Sequence, residues 1–459
     1  MISISISYPP LKSKKGKPFL SQNRQFQWTN TNNVIYPVIL ASAATLLKSK
    51  GYKIYWDDAI AENISYNTWL QRLIQRNPNY IVIETKTPVI KKHWKIIKDI
   101  RNHLPKIKII LIGDHVTALP QESYKHSPVD KILIGGNYDL LLLDYLSNKK
   151  NNLSLNDLPQ IDRQLTDWQT YSINNTNYKY KPGAYTMFGR DCWWGKCSFC
   201  SWTTLFPGQN YQNISPKKAF NEIQYLYKLG VKEVFDDSGT FPIGPWLKEF
   251  CNLLINSNPP IGGKIRLGCN MRFGALSEEE FKLMQTAGFR FMLFGFESAN
   301  QKTLDKINKN NKIDNVIPTL NLCKKYHIDA HITVMVGYPW ETKKDLDNTL
   351  QFSKEIFRNN LAASLQATII IPYPGTPLYK YCKKNNLLMT TDWDKFDMRQ
   401  PIIKTKNPKY LKISVQNLFK SIITPKYILN KITSIKSLSD VQFLIFYTLK
   451  YFQKLNDFS

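Results

Sequence analysis

Nowhere does the chain carry an apolar run long enough to span a bilayer. Leu140–Leu143 stops at Asp144 and Ile107–Ile112 is interrupted by Lys108, whereas a spanning helix needs about 20 apolar residues. Met1–Tyr8 alternates as a strand and lacks a charged region ahead of an apolar one, so no signal peptide is legible. Cysteine is scarce too. Seven in 459 residues, an odd number, make no disulfide framework. These absences point to a soluble, cytoplasmic protein. Acidic residues are also few, 35 against 62 Lys and Arg, for a net charge of +27. The excess lies at the ends, +12 over residues 1–150 and +8 over 401–459, with +7 over 151–400. Such ends suit a phosphate-tracking surface. Yet the lysines are scattered without an arginine–aromatic ladder, as on ordinary solvated faces. With 43% hydrophobic and 13% aromatic residues, the core is easily filled, which excludes a disordered or fibrous chain.

Residues 1–146 alternate strands and helices: strands at Ile2–Ser7, Tyr52–Trp56, Tyr80–Glu84, Lys108–Ile112 and Ile132–Ile134, helices at Val38–Lys50, Trp69–Arg76, Lys92–His103 and Leu140–Leu146. That order predicts a doubly wound (Rossmann-like) parallel sheet, with ligands beyond the strands' carboxyl ends. Residues 147–183 are polar and Asn-rich and read as a linker. Over 184–400 six strands are expected, at Ala184–Phe188, Glu233–Phe235, Lys264–Cys269, Phe291–Phe296, His331–Val336 and Ser364–Ile371. Intervening helices make this a partial (β/α)6 barrel of the TIM kind, with its chemistry at the carboxyl ends. Residues 401–459 form a helical extension, Asp440 capping Val441–Leu455. Its phenylalanines either bury against the barrel or reach a membrane interface.

Directly after the first barrel strand comes Gly189-Arg190-Asp191-Cys192-Trp193-Trp194-Gly195-Lys196-Cys197-Ser198-Phe199-Cys200. Three thiolates on one loop hold three corners of an iron–sulfur cube and leave the fourth iron open. Zinc competes, but structural zinc takes four protein ligands. No histidine lies between His126 and His327, and the next cysteine is Cys251.

At these residues the chain resembles the radical S-adenosylmethionine (SAM) superfamily, with four residues rather than the usual three between the first two cysteines. Further matches follow at successive strand ends. They are Asp236-Asp237-Ser238, Asn270-Met271-Arg272, Phe294-Gly295-Phe296-Glu297-Ser298, Gly337-Tyr338-Pro339-Trp340-Glu341-Thr342 and Pro372-Tyr373-Pro374-Gly375-Thr376-Pro377-Leu378. The last is typical of cobalamin-linked members. The resemblance implies a [4Fe–4S] cluster on Cys192, Cys197 and Cys200. It implies SAM held by Asp236, Asp237, Ser238, Asn270, Arg272, Glu297 and Gly337, with Phe199 beside the adenine. Ser238 reads equally as a turn residue, and Asn270 with Arg272 as structural.

The front region resembles the cobalamin-binding domain paired with such barrels. Thr85, Thr87, Gly113, His115, Thr117, Gly135 and Gly136 stand in its matching stretches. Its Asp-x-His-x-x-Gly signature is missing, so His115 reads as a loop histidine rather than a cobalt ligand, and Gly135-Gly136 replaces the usual Gly-Glu. The implied activity is reductive cleavage of SAM to a 5′-deoxyadenosyl radical, leading to methylation of an unactivated carbon. Cyclisation or rearrangement of a tetrapyrrole or lipid-like substrate, RNA modification and non-catalytic sensing are the alternatives. The implied partners are an apolar or aromatic small molecule and a reductant such as flavodoxin or ferredoxin. A nucleic acid is disfavoured, and peripheral membrane contact through the C-terminal helices is left open.

Overall fold

The computed structural model describes every residue except 12, 21–25, 31–32, 176, 209, 259, 434, 436 and 458–459. The front unit is a five-stranded parallel sheet of β1 (Ser3–Tyr8), β2 (Lys53–Asp58), β3 (Tyr80–Thr85), β4 (Lys108–Gly113) and β5 (Lys131–Ile132), in the order β2-β1-β3-β4-β5. Ile81, Val82 and Ile83 in β3 and Ile109–Ile112 in β4 are almost wholly buried, the continuous apolar pattern of a sheet covered on both faces. The covering helices are α1 (Val38–Ser49), α2 (Tyr66–Arg76), α3 (Ile90–His103) and α4 (Tyr138–Ser147). Strand order reverses between β1 and β3, the switch point at which doubly wound sheets bind ligands. The expected strand at Ile132–Ile134 is shorter and shifted to Lys131–Ile132, with the Leu133 N–H still donating to the Leu111 carbonyl of β4 at 3.2 Å.

The second unit is a six-stranded parallel sheet in sequence order: β6 (Gly183–Thr186), β7 (Glu233–Asp236), β8 (Arg266–Met271), β9 (Phe289–Glu297), β10 (Asp329–Val336) and β11 (Ser364–Ile369). Its helices are α5 (Pro216–Lys228), α6 (Pro245–Ile255), α7 (Glu278–Ala287), α8 (Val316–Lys325) and α9 (Lys343–Arg358). Ser277 and Thr342 cap α7 and α9, each in a reciprocal capping box with Glu280 or Asp345.

Residues 147–183 pack firmly between the two units. Arg163 is buried, paired with Glu222 at 2.6 Å and lying 4.6 Å from the Tyr36 ring centroid. Trp168, Tyr171 and Tyr178 are buried as well. The extension forms α10 (Pro408–Lys420), α11 (Pro425–Thr433) and α12 (Leu438–Asn456). Asp440 is not the cap of α12. Ser437 is, its hydroxyl accepting from the Asp440 N–H, while Asp440 pairs with Lys179 at 2.8 Å.

Candidate active site

The three-cysteine loop leaves β6 through Asp191, which takes a left-handed backbone (φ +70°). Backbone bonds fix it. The Ser198 N–H donates to the Ile307 carbonyl at 2.9 Å, and the Leu378 N–H donates to the Ser198 carbonyl at 2.8 Å. The indole N–H of Trp194 donates to the Asn308 carbonyl at 2.7 Å. The Pro372–Leu378 motif therefore latches the loop down. Gly239, just past β7, allows the loop to come close, since a Cβ there would stand 2.4 Å from the Asp191 carbonyl oxygen. Cys192, Cys197 and Cys200 are half-buried and line one cavity of about 390 Å³. Cys251, Cys269, Cys323 and Cys382 are core residues whose thiols burial pushes up, to about 12 for Cys251, Cys323 and Cys382.

Around the thiols the cavity gathers Phe199, Asp237, Asn270, Arg272 and Glu297, all from the sequence-derived set, and Lys309, which the sequence did not single out. β9 has a register shift between Gly295 and Glu297, and Glu297 takes φ +66°. Such a bulge re-aims a strand-end side chain, here into the cavity. Its Oε1 meets the Lys309 ammonium at 2.7 Å, both groups being nearly buried. Gly295 is required for that pair, because a Cβ there would lie 2.4 Å from Lys309 Nζ and 2.5 Å from Glu297 Oε1. Arg272 lies against Trp193 and Trp194, at 5.4 and 5.1 Å from the ring centroids, and donates to the Lys309 carbonyl. Burial pushes the Cys197 thiol up, with Lys309 and Arg272 opposing the shift.

Among the buried atoms of the lining residues that have no protein partner are Asn270 Oδ1 and Glu297 Oε2. Buried acceptors are seldom left unpaired, so the wall suits a ligand rich in donors. Among the described residues no three His, Cys, Asp or Glu side chains converge as on a single metal ion. Three thiols around one larger space suit a cluster that brings its own sulfides.

Three sequence-derived residues stand apart. Asp236 is turned away from the cavity, its carboxylate accepting from the Phe188 N–H at 2.7 Å and the Ser238 N–H at 3.1 Å. Ser238 accepts from the Gly189 N–H at 2.7 Å. Together they tie the end of β7 to the cysteine loop. Gly337 (φ +98°) packs against Leu411 of α10.

In the front unit, Gly113 (φ +127°) is dictated by contact, because a Cβ would stand 2.0 Å from the Thr85 carbonyl oxygen. The Thr85 hydroxyl meets His93 Nδ1 at 2.7 Å. Burial depresses His93 to about 3. Thr117 donates to the Gly113 carbonyl and accepts from the Gly135 N–H, while the Phe206 ring fills the space over Gly136. His115 is fully buried, with Nδ1 at 3.1 Å from the Thr87 hydroxyl and Nε2 at 3.1 Å from Glu122. Both ring nitrogens are engaged, and His115 lies not in a loop but in the short helix Asp114–Ala118 that follows β4. Asp114 Oδ1 and Asn137 Oδ1 of this unit, and Thr204 Oγ1 close to Ala118 beside Gly375, are buried without protein partners. These fit an amide-rich cofactor without a histidine ligand from this chain.

Beyond the cavity wall, Glu341 accepts from the Ser298 and Thr303 hydroxyls at 2.9 and 3.0 Å, and burial pushes it up to about 7. The unfolded carboxyl titrates near its ordinary value, so between there and pH 7 the folded state holds the extra proton. Stability therefore falls as pH rises from about 5 to 7.5, by at most about 3 kcal/mol from this group. Denaturant unfolding across that range is expected to show the slope, and Glu341→Gln to flatten it.

Residues 186–353 match the Radical SAM superfamily. An uncharacterised methyltransferase of Pyrococcus horikoshii is 26% identical over 81% of this chain and 83% of its own length. The bacteriochlorophyllide d C-8(2)-methyltransferase of Chlorobaculum tepidum is 25% identical over 71% and 76%. The same fold recurs in the radical SAM methyltransferase TsrM of Kitasatospora setae, solved with cobalamin and a [4Fe–4S] cluster. The match has a TM-score of 0.65 at 13% identity, over 93% of this chain and 89% of that one. Residues 186–353 thus carry the Radical SAM match, and the chain is an enzyme.

Proposed function

We propose that the chain is a cobalamin-dependent radical SAM enzyme that methylates an unactivated carbon of a largely apolar small molecule in the cytoplasm, with a flavodoxin- or ferredoxin-class reductant. The observation that carries this is three thiols on one latched loop, sharing a cavity with the Glu297–Lys309 pair and Arg272. Cys192, Cys197 and Cys200 would hold the cluster, Asp237, Asn270, Arg272 and Glu297 would contact SAM, and the front unit's seam would hold cobalamin. When bound, these groups supply the electron that splits SAM to a 5′-deoxyadenosyl radical and the methyl group that is transferred.

This chain's residues bind and orient. Arg272, its plane set by two indoles, presents a fixed guanidinium to a carboxylate. Lys309 holds Glu297 through Oε1, and the free Oε2 accepts from an ammonium or a ribose hydroxyl. Phe235, Phe291, Leu293 and Met335 line the deeper cavity, an apolar wall that keeps water from a reactive carbon.

The test is anaerobic turnover of the reconstituted whole chain with a methyl-deuterated SAM and apolar extracts as substrate. 5′-Deoxyadenosine and a product carrying the deuterated methyl are expected, with cobalamin retained through gel filtration. 5′-Deoxyadenosine with an unlabelled, cyclised product would make it a cyclase, and SAM left uncleaved would end the reading.

A further inference from the structure

The helical extension has a face that the active site does not explain. Of eighteen large hydrophobic side chains exposed among the described residues, eleven fall between Ile413 and Phe452. On α12, Ile445, Leu449 and Phe452 are 55–57% exposed and follow the spacing of one helical stripe. On α11, Ile428, Leu429 and Ile432 are equally open. The opposite faces look inward: Tyr427 of α11 donates to the Ala363 carbonyl at 2.7 Å and contacts Tyr447 of α12. Phe443, Tyr447 and Tyr451 line the cavity. α12 is thus apolar on both sides, one side covered and one bare. Soluble proteins seldom leave such a surface without an occupant.

Charge decides which occupant fits. Residues 401–459 hold ten lysines and two acids. Both acids are drawn inward, Asp440 to Lys179 at 2.8 Å and Asp457 to Arg399 at 2.9 Å. Lys420 at the end of α10 and Lys426 in the first turn of α11, both exposed, flank exposed Ile423. A second copy of this chain would set lysines against lysines, whereas anionic headgroups complement them. Among the described residues no helix is long and apolar enough to cross a membrane, so a bilayer could meet these helices only along their exposed face.

We propose that α11 and α12 dock this protein on an anionic lipid bilayer, the bare apolar side chains entering the acyl boundary and the lysines meeting the lipid phosphates. Docked in this way, the cavity is one helix from the lipid, the side from which a membrane-dissolved substrate arrives. Docking is independent of the cofactors and is read without turnover.

The test is sedimentation of the whole chain with vesicles of phosphatidylglycerol and phosphatidylcholine, against pure phosphatidylcholine, at low and high salt. Expected are binding to the anionic vesicles, weakening with salt, and a loss of about tenfold or more in Ile445→Ser/Leu449→Ser. Far-ultraviolet circular dichroism and melting should stay unchanged in that variant. Equal binding by the folded variant, or no binding to either vesicle, overturns the proposal. A dimer in sedimentation equilibrium that the same substitutions dissociate, without vesicle binding, assigns the face to a second copy and overturns it too.

Discussion

Cys197→Ala protein, reconstituted with iron and sulfide without oxygen, is expected to lose SAM cleavage entirely while remaining folded. The loop does not depend on the thiol for its shape: Ser198 is bonded on both its N–H and carbonyl sides, and Trp194 is anchored to the Asn308 carbonyl. Removing one sulfur from a half-buried site leaves no large core cavity. Apo-protein melting should shift little. With two thiolates instead of three, the cluster is lost or mis-anchored, and 5′-deoxyadenosine formation falls to the background of enzyme-free controls. Cys192→Ala and Cys200→Ala should behave alike, and Cys251→Ala should not, because Cys251 is wholly buried in α6, a core position. Normal SAM cleavage in Cys197→Ala would refute the cluster assignment.

Lys309→Met should carry the second largest effect, on stability as well as binding. It strands the Glu297 carboxylate, 3% exposed, without its cation. Breaking a buried pair by removing one partner costs about 3–5 kcal/mol. The companion Glu297→Gln/Lys309→Met removes the uncompensated charge and should regain most of that loss. It should not regain SAM affinity, which is expected to stay about 10- to 100-fold weak, the worth of a hydrogen bond to a charged group. Equilibrium dialysis of SAM beside denaturant melts separates the two effects. Full recovery of affinity in the double variant would mean that Glu297 does not contact SAM.

Much of the site was legible because its signals were of residue type. Three cysteines within nine residues, and a glycine two before a glutamate at a strand end, carry chemistry in any fold. Lys309 was invisible because it lies in Asn308-Lys309-Asn310-Asn311-Lys312, a tract typical of this lysine- and asparagine-rich chain. Only the bulge at the end of β9 brings it to Glu297. Asp236 and Asp237 could not be told apart by position. Neighbours on a strand face opposite ways, so one carboxylate ties backbone N–H groups while the next lines the cavity. The cap of α12 was misplaced because Ser437 and Asp440 are both good caps three residues apart. The linker's polar composition hid Arg163, Trp168 and Tyr171, whose burial depends on surfaces distant in sequence.

The central claim is met most directly by Mössbauer spectroscopy of oxygen-free, iron-57-reconstituted protein with and without SAM. A [4Fe–4S] centre in which one iron of four changes its parameters when SAM is added is the result this account predicts. A centre whose four irons stay alike with SAM present, or iron that never assembles into a cluster on these three cysteines, would contradict it.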